Sequence, residues 1–167
     1  MGNSYEYLIT SLPFLQLNVS PSINLEELNR RVVENVSASA FKKFQKTDLW
    51  EEDYSPTSAV IAVRSFKKKL TAELANIRQA KINKAAFVTE ILPGDFTLLD
   101  PLEAELAINK EMWKIMDQFS FGHNFDLTEI LIYKLKLQLL ERQFSFNPEK
   151  GMEKVKALIL SQKNKEE

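Results

Sequence analysis

Apolar residues recur at helical spacing along most of the chain. Steps of three and four residues connect the apolar positions of segments 25–36 and 58–81, a spacing that places them on one face of an α-helix. The second segment contains no glycine or proline, and at 1.5 Å per residue it predicts a helix about 36 Å long. Segment 37–46, with Phe41 and Phe44 on one face, either continues the first helix or forms a second short one.

Capping signals predict where two later helices begin. Asp100 followed by Pro101 is a favoured start, and it predicts a helix that runs to residue 120. Its predicted buried stripe consists of Leu102, Leu106, Trp113, Met116 and Phe119. After a turn around Gly122, Asp126 and Glu129 resemble a capping box that opens a helix over 126–143.

The pattern is less decisive at the two ends of the chain. The N-terminal segment is either a short strand, with Tyr5, Tyr7 and Ile9 on one face, or a helix that ends near Pro13. A last amphipathic helix is predicted to open at 147–149, before a polar tail at 163–167 that is expected to fray.

These elements predict an all-α fold of about six helices, a helical bundle with one long central helix. We expect one helical domain over residues 1–162, and a short N-terminal strand is the alternative for the first element. The helix over 126–143 is apolar around much of its girth. A helix of that kind is either buried between neighbouring helices or contacts another protein.

Composition excludes several kinds of chemistry. The 167 residues contain no cysteine, one histidine and four widely spaced glycines, so thiolate metal sites, His₂ metal sites and glycine-rich nucleotide loops cannot form within one chain. We therefore predict no cofactor, no metal, no small-molecule substrate and no enzymatic activity. Apolar runs fall far short of the ~20 residues that span a bilayer, and the first residues lack the pattern of a secretory signal. The predicted location is cytoplasmic.

Two polar features are candidate chemical sites. His123 lies beside Gly122 in a predicted turn, where a general base is conceivable but a polar turn residue or helix cap is the favoured interpretation. The acidic stretch 48–53 lacks the glycine and the ligand spacing of a calcium loop, so solvated acids are favoured over a cation site.

The net charge of −1 conceals an uneven distribution. Residues 64–84 hold seven basic residues and one acid, whereas residues 90–117 hold seven acids and two lysines. The candidate basic patch consists of Lys67, Lys68, Lys69, Arg78 and Lys81. A solvated helix face is the favoured interpretation, followed by charge pairing with the acidic stretch in a helical hairpin. Binding of nucleic acid or an acidic partner is disfavoured, because the pI is near 6.0.

Two segments together carry a family resemblance. One is 5–13, which reads YEYLITSLP, and the other is 125–142, which reads FDLTEILIYKLKLQLLER. They resemble a family of short bacterial proteins encoded beside V/A-type ATP synthase subunits. The second segment is also similar to a helix of the V/A-type ATPase component that is named C in archaea and d in eukaryotes. Tyr133 and Glu141 would take the places of a tyrosine and a glutamate in that helix.

The resemblance implies a non-catalytic accessory or stalk subunit, a helical adaptor that acts through protein–protein contacts. Its expected partners are other V/A-type ATPase subunits of the central stalk or rotor ring, with the membrane reached only through that complex at the inner membrane. The candidate partner-binding residues are Tyr5, Tyr7, Leu12, Phe14, Tyr133, Leu137 and Leu140, the last three only if their helix face is exposed. Ordinary core packing is the competing interpretation for all of them. The alternative function is a nucleic-acid-binding or regulatory helical domain that uses the basic helix over 64–84.

Overall fold

The computed structural model describes residues 5–51 and 54–145, and helices form all of its regular secondary structure. The elements are α1 (Tyr5–Ser11), α2 (Leu25–Asn35), α3 (Ala38–Lys46), α4 (Ser58–Asn83), a 3₁₀ turn (Phe96–Leu98), α5 (Pro101–Ser120) and α6 (Leu127–Ser145). The all-α prediction is confirmed. The predicted last helix and the polar tail at 163–167 lie outside the described residues.

The N-terminal segment is a helix, so the alternative of a strand is wrong. Leu8 is fully buried, and Tyr5, Ile9 and Leu12 pack around it against the core. These positions are three and four residues apart, which suits one face of a helix. A strand would have directed Tyr5, Tyr7 and Ile9 to the same side, but Tyr7 is exposed.

Most helices begin where the sequence predicts, and side-chain caps stabilise these starts. The Asn24 side chain accepts a hydrogen bond of 2.8 Å from the Glu27 amide at the start of α2. Asp100 and Glu103 form a complete capping box at the start of α5, with each side chain accepting from the other residue's backbone amide. The separation of α2 from α3 comes from Ser37, which caps α3.

The most deeply buried helix is α6. It contacts α2, α3, α4 and α5, and ten of its residues are buried. The prediction of one long helix is confirmed by α4, which has 26 residues and packs against both α5 and α6. Of the two interpretations for the apolar girth of α6, burial between neighbouring helices is therefore the one observed.

Helices α5 and α6 run antiparallel and exchange ion pairs. Asp117 near the end of α5 pairs with Lys136, and Glu105 near its start pairs with Arg142. The predicted buried stripe of α5 is confirmed for Trp113 and Met116 but is wrong at Leu102, which is exposed in the first turn. The acids of α5 that form these cross-helix pairs thus bind α6 rather than the basic helix α4.

Within the described residues, no helix combines the length and the apolar character that crossing a bilayer requires.

Candidate interaction groove and buried polar network

A groove lies where α1 and the segment after it meet α6 and the end of α5, and its volume is about 240 Å³. Most of its lining is apolar, with three polar side chains among it. The lining residues are Ile9, Leu12, Pro13, Phe14, Leu15, Ser120, Glu129, Ile130, Ile132, Tyr133 and Lys136. We refer to this surface as the α1–α6 groove.

Tyr133 fixes one wall of the α1–α6 groove. Its hydroxyl donates a hydrogen bond of 2.7 Å to the carbonyl oxygen of Pro13. Burial raises the pKa of Tyr133 to about 12, and the nearby Arg31 offsets this only in part. The phenol is therefore neutral at physiological pH and acts as a donor to the backbone.

The whole connection between α1 and α2 is held against α6. Besides Tyr133, Gln143 donates to the Asn18 side chain over 2.9 Å, and the Glu141 carboxylate accepts a 2.8 Å bond from the Leu25 amide. The bond from Leu25 satisfies one of the orphan amides in the first turn of α2. The two residues that carry the resemblance within α6 thus both bind the N-terminal part of the chain.

Phe14 projects from the edge of the α1–α6 groove with 91% of its surface exposed. It follows Pro13, whose carbonyl is held by Tyr133, so its backbone position is fixed while its ring contacts solvent. Association with another surface would remove both this large apolar ring and the apolar groove beside it from water.

The structure brings together only some of the candidate partner-binding residues. Leu12, Phe14 and Tyr133 line the α1–α6 groove. Tyr5 packs against the core, and Tyr7 is exposed but lies outside the groove lining. Leu137 and Leu140 were candidates only if their helix face is exposed, and that condition is not met, because both are completely buried.

A second polar feature, which the sequence did not predict, surrounds the segment 48–51. Gln138 donates to the Asp48 carboxylate over 2.5 Å and accepts from the Leu49 amide over 2.9 Å. Asp48 also accepts from the amides of Trp50 and Glu51. Partial burial alone would raise the pKa of Asp48, but these hydrogen bonds outweigh it and the pKa lies below its ordinary value.

Two cations bind the backbone around the same segment. The buried Arg64 donates to the carbonyl oxygens of Asp48 and Glu51, over 2.9 and 2.7 Å, and to the Ser55 hydroxyl. Lys67 donates to the Leu49 carbonyl over 2.8 Å. An arginine fork suits this role because its planar donors can reach several carbonyls at once.

Lys134 completes the network from α6. Its ammonium lies 4.7 Å from the centre of the Phe44 ring and donates to the carbonyls of Phe44 and Gln45, at the C-terminal end of α3 where positive charge is favoured. Burial lowers the pKa of Lys134, and the nearby acids Asp48 and Glu51 oppose that shift. These contacts fasten the loop after α3 to α4 and α6.

The network corrects the interpretation as solvated acid at Asp48, whereas Glu51 is exposed, as that interpretation predicts. Asp48 is half-buried and saturated by donors, whereas Glu52 and Asp53 lie outside the described residues. The available signal was the position of Lys134 and Gln138, four residues apart within a helix that is otherwise apolar on that side. Among residues 5–51 and 54–145, no group of three or more histidine or acidic side chains is placed to hold a metal ion.

The candidate basic patch is divided by the structure. Lys68, Lys69, Arg78 and Lys81 are exposed on α4, as the solvated-face interpretation predicts. Lys67 is half-buried, because its ammonium binds Leu49 and lies 5.3 Å from the centre of the Trp50 ring. Arg64, at the start of the same basic stretch, is buried in the network.

His123 lies in the turn between α5 and α6, as predicted. Its Nδ1 is 2.6 Å from an oxygen of Asp126, whose other oxygen accepts from the Glu129 amide. Glu129 in turn accepts from the amide of Phe125 rather than from that of Asp126, so the predicted capping box forms in altered register. The position of His123 fits a polar turn residue that supports a helix cap.

Comparison with known proteins gives one partial match. Residues 87–165 are similar to a family described as a protein of unknown function (DUF2764). The match spans slightly less than half of the chain and covers α5 and α6 but neither α4 nor the N-terminal side of the α1–α6 groove. No curated protein and no solved structure matches the chain.

Proposed function

We propose that this chain is a non-catalytic accessory or stalk subunit of a bacterial V/A-type ATPase, related to the C/d-type component of such complexes, and that it acts as a helical adaptor. The observation that carries the proposal is the α1–α6 groove. Its two sides come from the two segments that resemble the ATPase-linked family, with Leu12 and Pro13 from one and Ile130 and Tyr133 from the other. Two segments more than a hundred residues apart thus form one apolar surface.

The groove has the chemistry of a protein-binding site. Its apolar walls would gain free energy on leaving water, at roughly 25 cal/mol per Å² of apolar surface. Phe14 offers an aromatic anchor, a residue type that is enriched at interfaces. Glu129 and Lys136 supply a polar rim of both signs, which would orient a partner helix. An ATPase subunit that presents an apolar helix face is the occupant that we propose.

The alternative, nucleic-acid binding by the basic helix, has less support. Arg64 and Lys67 donate hydrogen bonds to backbone carbonyls of segment 48–51, so fewer cations of α4 can contact phosphates. Each phosphate contact adds to affinity mainly through counterion release, so binding would be strongest at low salt. Absence of DNA and RNA binding at ~50 mM salt would remove this alternative, and binding that weakens steeply with salt would favour it.

Co-purification tests the adaptor hypothesis directly. The tagged full chain would be expressed together with the V/A-type ATPase subunits of its native host and recovered under mild salt. We expect ATPase subunits to be retained in fixed proportion to the tagged chain. Recovery of the free chain alone would contradict the proposal.

A pair of surface variants tests whether the α1–α6 groove makes the contact. Phe14→Asp places a charge at the groove edge, where the native ring is 91% exposed, so folding should be unaffected. Leu98→Asp is the matched control, since Leu98 is 85% exposed in the 3₁₀ turn and does not line the groove. We expect Phe14→Asp to reduce retention of ATPase subunits at least tenfold and Leu98→Asp to leave it unchanged. Equal retention by both variants would exclude the groove as the contact surface.

A further inference from the structure

A second cavity lies between α4, α5, α6 and the segment 48–51, away from the α1–α6 groove. Its volume is about 210 Å³. The apolar part of its wall is contributed mainly by Leu70, Leu74, Ile108, Met112 and Leu139. None of its lining residues also lines the α1–α6 groove, so the two sites are separate.

Positive charge predominates around this cavity. Lys67, Arg78 and Arg142 line it, and Glu105 is the acid among its described lining residues. Glu105 is paired with Arg142 over 3.3 Å, and Arg142 also lies 4.6 Å from the centre of the Trp50 ring. Arg78 is exposed and forms no ion pair with a described residue. The cavity therefore carries an excess of cations, with Arg78 available to an anion.

Asn109 lies in the wall of the cavity with only 3% of its surface exposed. No residue of the described ranges 5–51 and 54–145 hydrogen-bonds to its side chain. Its amide atoms are not enclosed by the protein, so they face the cavity, where a bound molecule can hydrogen-bond to them. The cavity thus combines an apolar surface with an amide and a guanidinium that a polar group of a bound molecule can contact.

We propose that the cavity binds a small organic carboxylate with an apolar body about the size of one aromatic ring. The Asn109 amide would donate to one carboxylate oxygen, Arg78 would supply the opposing charge, and the aliphatic wall would hold the body. The volume suits this size, because a cavity of about 150 Å³ lined by apolar side chains accommodates benzene. Neither a cofactor nor a small ligand was predicted from the sequence, since Asn109 lies in an ordinary helical pattern.

Titration with benzoate tests the proposal on the full chain. Amide and side-chain NMR resonances would be followed as benzoate is added, with benzamide and acetate as parallel probes. Small ligands gain at most about 1.5 kcal/mol per heavy atom and commonly far less, so a Kd of about 0.1–3 mM is expected for benzoate. Benzamide, which lacks the charge, and acetate, which lacks the ring, should each bind at least tenfold more weakly. Benzoate should shift the side-chain amide resonances of Asn109.

Two variants and a control distinguish binding in the cavity from nonspecific attraction of benzoate to surface charge. Arg78→Gln should weaken benzoate binding at least tenfold, whereas Lys81→Gln, which removes an exposed cation one turn away on α4, should leave it within twofold. Asn109→Leu should abolish binding, because it removes the amide donor while keeping a side chain of similar size. The proposal is overturned if benzoate at 10 mM, roughly three times the weakest expected Kd, leaves the Asn109 resonances unmoved. Equal weakening by Arg78→Gln and Lys81→Gln would also overturn it.

Discussion

The phenol oxygen of Tyr133 lies 2.7 Å from the carbonyl oxygen of Pro13, a bond that joins parts of the chain 120 residues apart. It attaches the connection after α1 to the most deeply buried helix, α6, and in doing so forms one wall of the α1–α6 groove. The stability of the N-terminal segment and the shape of the proposed partner surface therefore depend on the same contact.

Replacement of Tyr133 by phenylalanine should destabilise the fold modestly. Tyr133→Phe keeps the ring and removes the donor to Pro13, and the loss of one such hydrogen bond costs about 1 kcal/mol. The free energy of unfolding, measured by urea titration, should fall by that amount. Tyr7→Phe is the control, because Tyr7 is exposed, and its free energy of unfolding should be unchanged. Equal values for the two variants would show that the bond to Pro13 contributes no stability.

Titration of the tyrosines should show one late transition. The folded pKa of Tyr133 is raised to about 12 from an ordinary value near 10, so the folded state holds this proton more tightly than the unfolded chain does. The resulting stability is fully present below pH 10 and is lost as the pH rises from 10 to about 12. Tyrosinate absorbance should include a component in that range which Tyr133→Phe removes. A late component that persists in the variant would assign it to another tyrosine.

Removal of the Gln138 amide should be more costly than removal of an exposed glutamine. Gln138→Leu leaves the Leu49 amide without its acceptor and takes a donor from Asp48, and an unsatisfied buried group costs about 1–3 kcal/mol. Gln118→Leu makes the same change at an exposed position of α5 and should stay within about 0.5 kcal/mol of the native protein. Urea unfolding of the two variants tests the difference, and equal stabilities would mean that the network adds nothing.

Helices and their starts could be predicted because the signals are local. Asn24 and Asp100 cap helices through amides three residues ahead, so each signal lies within the sequence window that predicts it. Leu12, Phe14 and Tyr133 could be proposed as contact residues from the sequence. That they line one groove could not be predicted, because no local pattern relates residues 120 positions apart.

The buried polar contacts could not be predicted, because they depend on tertiary neighbours. Arg64 resembles the other cations of its stretch, and only the packing of segment 48–51 against α4 makes it a buried donor to backbone carbonyls. The same limit applies to Leu137 and Leu140. Periodicity showed that their faces are apolar, but it could not show that other helices of the same chain cover those faces.

Loss of the Asp100 cap should weaken the start of α5. Asp100→Ala removes the acceptor for the Glu103 amide and one half of the capping box, a change that typically costs about 1 kcal/mol. Asp95→Ala is a matched control, since Asp95 precedes the 3₁₀ turn without a side-chain capping bond. Thermal unfolding should show a lower midpoint for Asp100→Ala alone. A similar decrease in both variants would indicate a general effect of charge rather than of capping.

Substitution by glycine should have opposite effects on stability at two positions near the end of α4. Lys84 adopts a left-handed backbone with φ of 52°, and the Ala85 amide closes the helix end on the Ala80 carbonyl over 2.9 Å. Glycine adopts that conformation without steric cost, so Lys84→Gly should stabilise the fold by roughly 0.5–1 kcal/mol. Lys81 is still helical, and Lys81→Gly should destabilise by a similar amount. Both side chains are exposed and both variants lose one positive charge, so charge cannot account for opposite signs. If urea unfolding shows both variants to be destabilised, the left-handed residue does not limit the stability of this helix end.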